Sequence, residues 1–317
     1  MIPIDEYTSF LDQEYLTSYV AAGGAAVKFT VAADDQAARD VSEAVTSRAA
    51  AAGYQTARVD AAGIRAHMID QVFFEVARQV DWDALAQRAV REAWAAIAHP
   101  PPDERLDVEA VAAHHGVDAG ELTRDVNREL QHRIYRDYAM VQEFRIAMLR
   151  LCQAALATGQ VTDAEHVAVL DWLRGDLRRI TLLRSALIFR RIGRHNARQM
   201  LFSLAHWLAV NGRAGLVLEL DVRRLAVARR PPHDQRDGVY YTKAALLDAY
   251  ELLRQLVDNT DEAAHCCVVV ITAPEFLTDP NRGLDAYQAL KLRIFDEVRD
   301  VRRDNPYSSL IRLGATP

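Results

Sequence analysis

The stretch AAVKFTVAADDQAARDVSEAVTSRAAAAGYQTARVD, residues 25–60, decides the fold class. Residues 25–33 form a short apolar run behind the Gly23-Gly24 break, which is the pattern of a buried strand. Residues 34–52 are rich in helix formers, and Gly53 stands where a helix C-terminus favours glycine. QTARVD, residues 55–60, reads as a second strand. Strand, helix and strand within about 35 residues make a βαβ unit, which implies a parallel sheet. Three more strands follow: GLVLELD at 215–221, HCCVVVIT at 265–272 and SSLIRL at 308–313. Helices are expected between them. One covers 194–211, with Met200, Leu201, Leu204, Trp207 and Leu208 at helical spacing, and others cover 242–258 and 284–301.

The middle of the chain has no strand pattern. Residues 64–98 are helical by composition and stop at Pro100, Pro101 and Pro102. A short helix is expected within 106–120 and a long helical stretch, in one or two pieces, over 121–157. Thr162, with Glu165 three residues later, makes a capping-box start for the next helix. The expected organisation is therefore residues 1–63 as the first part of an α/β core, 64–187 as a helical insertion and 188–317 as the second part of the core. The sheet is expected to have about five strands. Ligands on such sheets bind at the carboxyl ends of the strands, here Val31-Ala32, Asp60, Asp221 and Thr272.

The order of elements suggests a P-loop nucleotide-binding core. A working P-loop reads G-x-x-x-x-G-K-[ST]: backbone amides cradle phosphates, lysine neutralises them and the hydroxyl holds magnesium. On this chain the eight residues after Val31 place Ala32 and Ala37 at the glycines, Ala38 at the lysine and Arg39 at the hydroxyl. Asp34 and Asp35 put negative charge where a triphosphate would lie. At about 4 Å and an effective dielectric near 20, each such repulsion is about 4 kcal/mol. GLVLELD ends in Asp221, a magnesium-type acid, but the position after it, where an ATPase keeps a glutamate to activate water, is Val222. Glu219 lies either on the other face of that strand or two residues back on the same face, too deep to reach water.

Residues 14–31 (EYLTSYVAAGGAAVKFTV), 191–221 (RIGRHNARQMLFSLAHWLAVNGRAGLVLELD) and 268–294 (VVVITAPEFLTDPNRGLDAYQALKLRI) resemble the BREX-system ATP-binding domain family. These are P-loop proteins of bacterial phage-defence loci, distantly similar to AAA-type and Orc/Cdc6-like ATPases. The resemblance implies a P-loop NTPase (AAA-like) α/β fold, a defence-related setting and DNA-handling neighbours. The family carries an intact glycine-lysine-serine/threonine loop and a DE pair; this chain departs from both. The expectation is a pseudo-ATPase: a structural or regulatory subunit with degenerate nucleotide-loop positions Ala32, Asp34, Asp35, Ala37, Ala38 and Arg39. No cofactor is expected, and weak ATP or ADP binding stays open. The expected partner is an active P-loop ATPase paralogue or helicase-type subunit in a hetero-oligomer. Two rivals stand beside this: an active ATPase with a non-standard loop, served by Lys28, Lys243 or Lys291, and a DNA-binding module without nucleotide.

Half the residues are hydrophobic and 26% are charged, an ordinary globular balance that excludes a disordered or fibrous chain. A net charge of −6 argues against a surface that coats nucleic acid throughout. It leaves room for local basic patches. Arg194 and Arg198 are candidates for reaching a neighbouring subunit's nucleotide. Arg178, Arg179, Arg190, Arg191, Arg223 and Arg224 are candidate DNA contacts, and Arg229 and Arg230 extend the last pair. His114-His115 lacks the spacing of a metal site, so no metal is expected. Cys152, Cys266 and Cys267 fit no disulfide or zinc pattern and read as buried thiols of a cytoplasmic protein. No apolar run reaches the roughly 18 to 20 residues of a spanning helix, so no membrane partner is expected.

Overall fold

The computed structural model describes residues 1–228, 231–295 and 304–314. Their strands are β1 (Ile2–Pro3), β2 (Ala25–Ala32), β3 (Gln55–Asp60), β4 (Leu216–Asp221), β5 (Cys266–Thr272) and β6 (Leu310–Gly314). All pair in parallel in one sheet of order β1-β6-β2-β5-β4-β3. The protein is thus α/β with a single parallel sheet. Among the described residues it has six strands, where about five were expected. The extra one, β1, is two residues long and pairs through Ile2 and Pro3 with Leu313 and Gly314. A two-residue strand carries no alternation from which to read it.

In chain order the helices are α1 (Ile4–Phe10), α2 (Asp35–Ala51), α3 (Ile69–Arg78), α4 (Trp82–Ala96), α5 (Val108–His115), α6 (Ala119–Leu130), α7 (Gln142–Ala155), α8 (Asp163–Arg174), α9 (Ala197–Val210), α10 (Lys243–Asp258), α11 (Glu275–Thr278) and α12 (Gln288–Ile294). The chain divides into two compact units, residues 1–76 with 208–317, and residues 77–207.

In the first unit every residue of β2, β4 and β5 is buried, which is why these strands read as mostly apolar runs, with Lys28 in β2 and Glu219 in β4 as buried exceptions. One sheet face packs Val217, Val269, Ile271 and Ile311 against Tyr7, Leu11 and Leu16 and against Val41 and Val45 of α2. Elsewhere in the unit Phe29 of β2 stacks on Phe276 of α11 at 6.2 Å, and Phe276 meets Tyr250 of α10 edge-on at 5.7 Å. Burying each such side chain stabilises the fold by about 1.5–3 kcal/mol. Cys266 and Cys267 lie inside β5 and are buried.

The second unit is helical. Trp82 of α4 packs on Phe144 of α7 at 6.2 Å, and the Trp94 indole donates to the Leu106 carbonyl at 3.1 Å. Cys152 of α7 is buried here. The stretch 121–157 is in two pieces: α6 runs into a π-helical turn, Gln131–Tyr135, and α7 restarts at Gln142. At α8 the Thr162 hydroxyl caps the Glu165 amide at 3.2 Å. The reciprocal half of the capping box does not form. Glu165 instead accepts from Arg150 at 2.5 Å and from Ser185 at 2.9 Å. The helix expected over 284–301 splits: a 3₁₀ turn, Leu284–Ala286, precedes α12 because Tyr287 adopts φ −141° and ψ 87°. Its positions 296–301 lie outside the described residues, as do Arg229 and Arg230. Among the described residues no helix is long and apolar enough to cross a membrane.

Candidate functional site

The carboxyl ends of β2, β3, β4 and β5 open into a crevice of about 640 Å³ in the first unit. Ala32 to Asp35 form one wall, Asp60 and Asp221 lie at its base, and Arg223 and Glu275 border it. The expected strand-end positions Ala32, Asp60 and Asp221 therefore come together.

The segment after β2 is short. Only Ala33 and Asp34 separate the strand from α2. Asp34 is the N-cap: its carboxylate accepts the Ala37 amide at 2.8 Å, and its carbonyl accepts the Ala38 amide at 3.0 Å. Such a cap is worth about 1 kcal/mol. It also takes an amide that an anion would use at a helix N-terminus. Ala37 and Ala38 are buried in the first turn of α2. Arg39 is exposed and donates to Gln36 at 2.6 Å.

Across the crevice, Arg223 holds Asp221 in a two-pronged ion pair, Nε to Oδ1 at 2.9 Å and Nη2 to Oδ2 at 2.7 Å. Its remaining nitrogen, Nη1, donates to Asp35 at the start of α2. One guanidinium thus bridges the loop after β2 to the end of β4. The bond to Asp221 raises the Arg223 pKa, with the Asp221, Asp35 and Asp60 charges adding to it. Asp60 accepts the Ala62 amide at 2.7 Å. Val222 is buried, and its amide continues the ladder to Ile271 at 2.9 Å. Arg224 turns away to a bidentate pair with Asp237 at 3.0 Å, stacked 4.8 Å from the Tyr240 ring.

Glu219 lies two residues back from Asp221, buried beneath the crevice. It accepts from Ser42 at 2.6 Å and from Thr46, both on α2, and pairs in register with Arg58 of β3. Burial raises its pKa, and this outweighs the two hydroxyls and Arg58, which lower it. A carboxylate whose folded pKa lies above its unfolded value binds protons more tightly in the native state. Stability is then lost as pH rises from about 4.5 through the folded value, and level beyond it. Glu219→Gln is expected to remove that fall, so wild type should weaken relative to the variant with rising pH. Denaturant midpoints from pH 4 to 8 read this; parallel curves would mean that Glu219 titrates normally.

The sequence contains three lysines, and each is committed elsewhere. Lys28 is buried on Tyr15 and the carbonyls of Tyr307 and Ser308. Lys243 donates to the Asn281 carbonyl, and Lys291 pairs with Asp285 at 2.6 Å. Among the described residues no group of three or more His, Cys, Asp or Glu is placed to hold a metal.

The family model of the BREX system ATP-binding protein BrxC/D matches residues 104–316. The chain belongs to the BrxC/D family. The BrxC/D match contains β4, β5 and β6, hence Asp221 and Arg223, and two of the resembling segments, 191–221 and 268–294. The segment 14–31 and the loop after β2 precede it. No curated protein and no solved structure matches the chain. Membership in the BrxC/D family suggests a role in a phage-defence system.

Arg178, Arg179, Arg190, Arg191, Arg194 and Arg198 belong to the second unit of this BrxC/D protein. All but Arg198 are exposed, and Arg198 lies half-buried on α9. Sequence reasoning did not anticipate the Arg223 bridge. It also missed Arg282, buried and donating to the carbonyls of Leu225 at 2.9 Å and Tyr241 at 3.1 Å. No local pattern announces the reach of Arg223 to Asp35 or of Arg282 to Leu225 and Tyr241, because those partners are distant in sequence.

Proposed function

We propose that this BrxC/D-family chain is a nucleotide-inactive, P-loop-like subunit, a structural or regulatory part of a phage-defence complex. The observation that carries the reading is Arg223 standing between Asp221 and Asp35. In a P-loop protein the acid at the Asp221 position holds magnesium; here that carboxylate is taken by Arg223. Five acidic residues and two arginines line the crevice, a formal balance of −3, and the Arg224 guanidinium is taken by Asp237. A triphosphate entering it meets repulsion of about 4 kcal/mol per close carboxylate and must also break the Arg223 bridge. Asp34 already caps the helix N-terminus, and the loop has no glycine to wrap a phosphate. The residues present do not fit ATP. The order of the sheet, with β5 between the loop strand β2 and the acid strand β4, supports descent from a nucleotide-binding core. A fold can keep its shape after losing its chemistry.

Such a subunit acts through a partner, an active ATPase or helicase, in a hetero-oligomer. Arg194 and Arg198 are the side chains for reaching that partner's nucleotide, where an arginine supplied in trans stabilises phosphoryl transfer. The test is calorimetry of ATP and ADP with the purified chain, with and without magnesium. No heat of binding up to millimolar nucleotide is expected. Micromolar, magnesium-dependent binding would overturn the reading. Once an ATPase partner is in hand, Arg194→Ala should lower the rate of the mixture; an unchanged rate removes the trans-arginine role.

A further inference from the structure

We propose that the second unit carries a binding surface for single-stranded nucleic acid, built from Arg178, Arg179, Arg184, Arg190 and Arg191 around Phe189. The inference is independent of the crevice. The chain has 44 acidic residues in 317, yet none falls between Leu177 and Leu218, a run of 42. At the chain's average density that run would hold about six, so the arginines in it have no local carboxylates to neutralise them.

The fold gathers these charges. The Arg191 guanidinium donates to the Arg178 carbonyl, which brings two basic pairs twelve positions apart into one patch. The Trp172 indole donates to the Arg190 carbonyl at 2.9 Å and fixes the returning strand of the loop. Two acids close in sequence or packed on the loop are engaged elsewhere, and Glu143 shares the cavity that Phe189 and Arg190 line. Asp176 pairs with Arg78 at 3.1 Å, and Glu165 with Arg150. Among the described residues no carboxylate pairs with the five arginines, and all five are exposed. Like charges held together without counter-charge repel one another, and a polyanion relieves that repulsion.

The patch also has an aromatic wall. Phe189 is 63% exposed, next to Arg190. Leu187 adopts φ +61°, a costly conformation for a leucine, and the chain there turns so that Leu187, Phe189 and Arg190 line a cavity of about 550 Å³ with Tyr135. Guanidiniums beside an exposed ring are the elements that hold a single strand: phosphates on the cations and a base on the ring face. A duplex hides its base faces. An acidic polypeptide would use the charges and leave the ring idle; an anionic lipid surface takes up charges and ring alike, and the vesicle competitor separates it.

The test is fluorescence anisotropy of the full chain with a labelled thymidine oligomer of about 20 nucleotides, long enough for one site. The same oligomer as duplex, polyglutamate and phosphatidylserine vesicles are competitors. Binding should weaken with salt at a log–log slope of about −3.5, for five phosphates on a single strand. Phe189→Ala should lower affinity roughly tenfold at unchanged slope, the effect of one stacked base, and Phe189→Trp should retain it. Arg179→Gln with Arg190→Gln should reduce the slope by about 1.4. All three positions are exposed, so thermal melts should not move. Absence of binding at low salt, indifference to Phe189→Ala, or tighter binding of duplex, polyglutamate or vesicles would each overturn the proposal.

Discussion

Replacing Gly215 with alanine is expected to cost roughly 3 kcal/mol or more, through backbone strain together with a clash. Gly215 leads into β4 at φ +135°, and a Cβ there would stand 2.1 Å from the His265 carbonyl oxygen and 2.8 Å from the His265 Cβ. His265 cannot easily yield, since its own φ is +54° and its carbonyl accepts the Leu216 amide at 2.9 Å. The Gly215 carbonyl in turn accepts the Gln55 amide at 2.9 Å. A shift at this point therefore loosens the start of three neighbouring strands. Gly53→Ala is the control: φ is +85° there, but nothing lies within 4 Å of the added methyl. It should cost about 1 kcal/mol, for the conformation alone. Urea unfolding of both variants separates clash from conformation, and equal losses would show that the sheet absorbs the methyl.

The second large effect is expected at Lys28→Ala, about 3–5 kcal/mol. Lys28 is 3% exposed in the middle of β2. Its ammonium donates to the Tyr15 hydroxyl at 2.7 Å and to the carbonyls of Tyr307 at 2.9 Å and Ser308 at 3.3 Å. Alanine would leave three partly buried acceptors without that donor and a void where the methylenes lay. Lys28→Met fills the void without restoring the donors, so its loss should be smaller. The position bears on function too. Lys28 stands four residues before the end of β2, about 13 Å at strand rise, so it does not serve the crevice in place of a P-loop lysine. Loss of stability with no change in nucleotide heats is the expected pair of results. A nucleotide signal that vanishes with Lys28→Ala would reopen the non-standard ATPase.

Strands were easy to read because β2, β4 and β5 are buried on both faces and leave apolar runs in the sequence. Helix α10 was legible from the amphipathic pattern of 242–258, and the Thr242 hydroxyl caps the Ala245 amide at 3.2 Å. The breaks were not. Tyr287 interrupts a helical composition through its backbone angles, and the π turn after α6 has no composition of its own. At the site, Asp221 was visible as the acid that ends an apolar strand. What Arg223 does was hidden, because a residue after a strand reads as an exposed loop. The 3₁₀ turn Arg223–Ala226 instead sends its side chain back over the strand end. Glu219 was half legible: alternation offered two faces, and the hydroxyls of Ser42 and Thr46 show which one it uses.

The three cysteines have a use in the laboratory that follows from where they lie. Burial pushes the thiols of Cys266 and Cys267 up to about 12 and that of Cys152 higher still. A thiol reagent reacts with the thiolate and needs access to the sulfur, so the native chain is silent to it. Labelling then proceeds only as fast as the structure opens. Cys152 keeps time for the helical unit, and the adjacent pair keeps time for the sheet. Read by mass after protease digestion, the protein carries its own two clocks, with no probe engineered in.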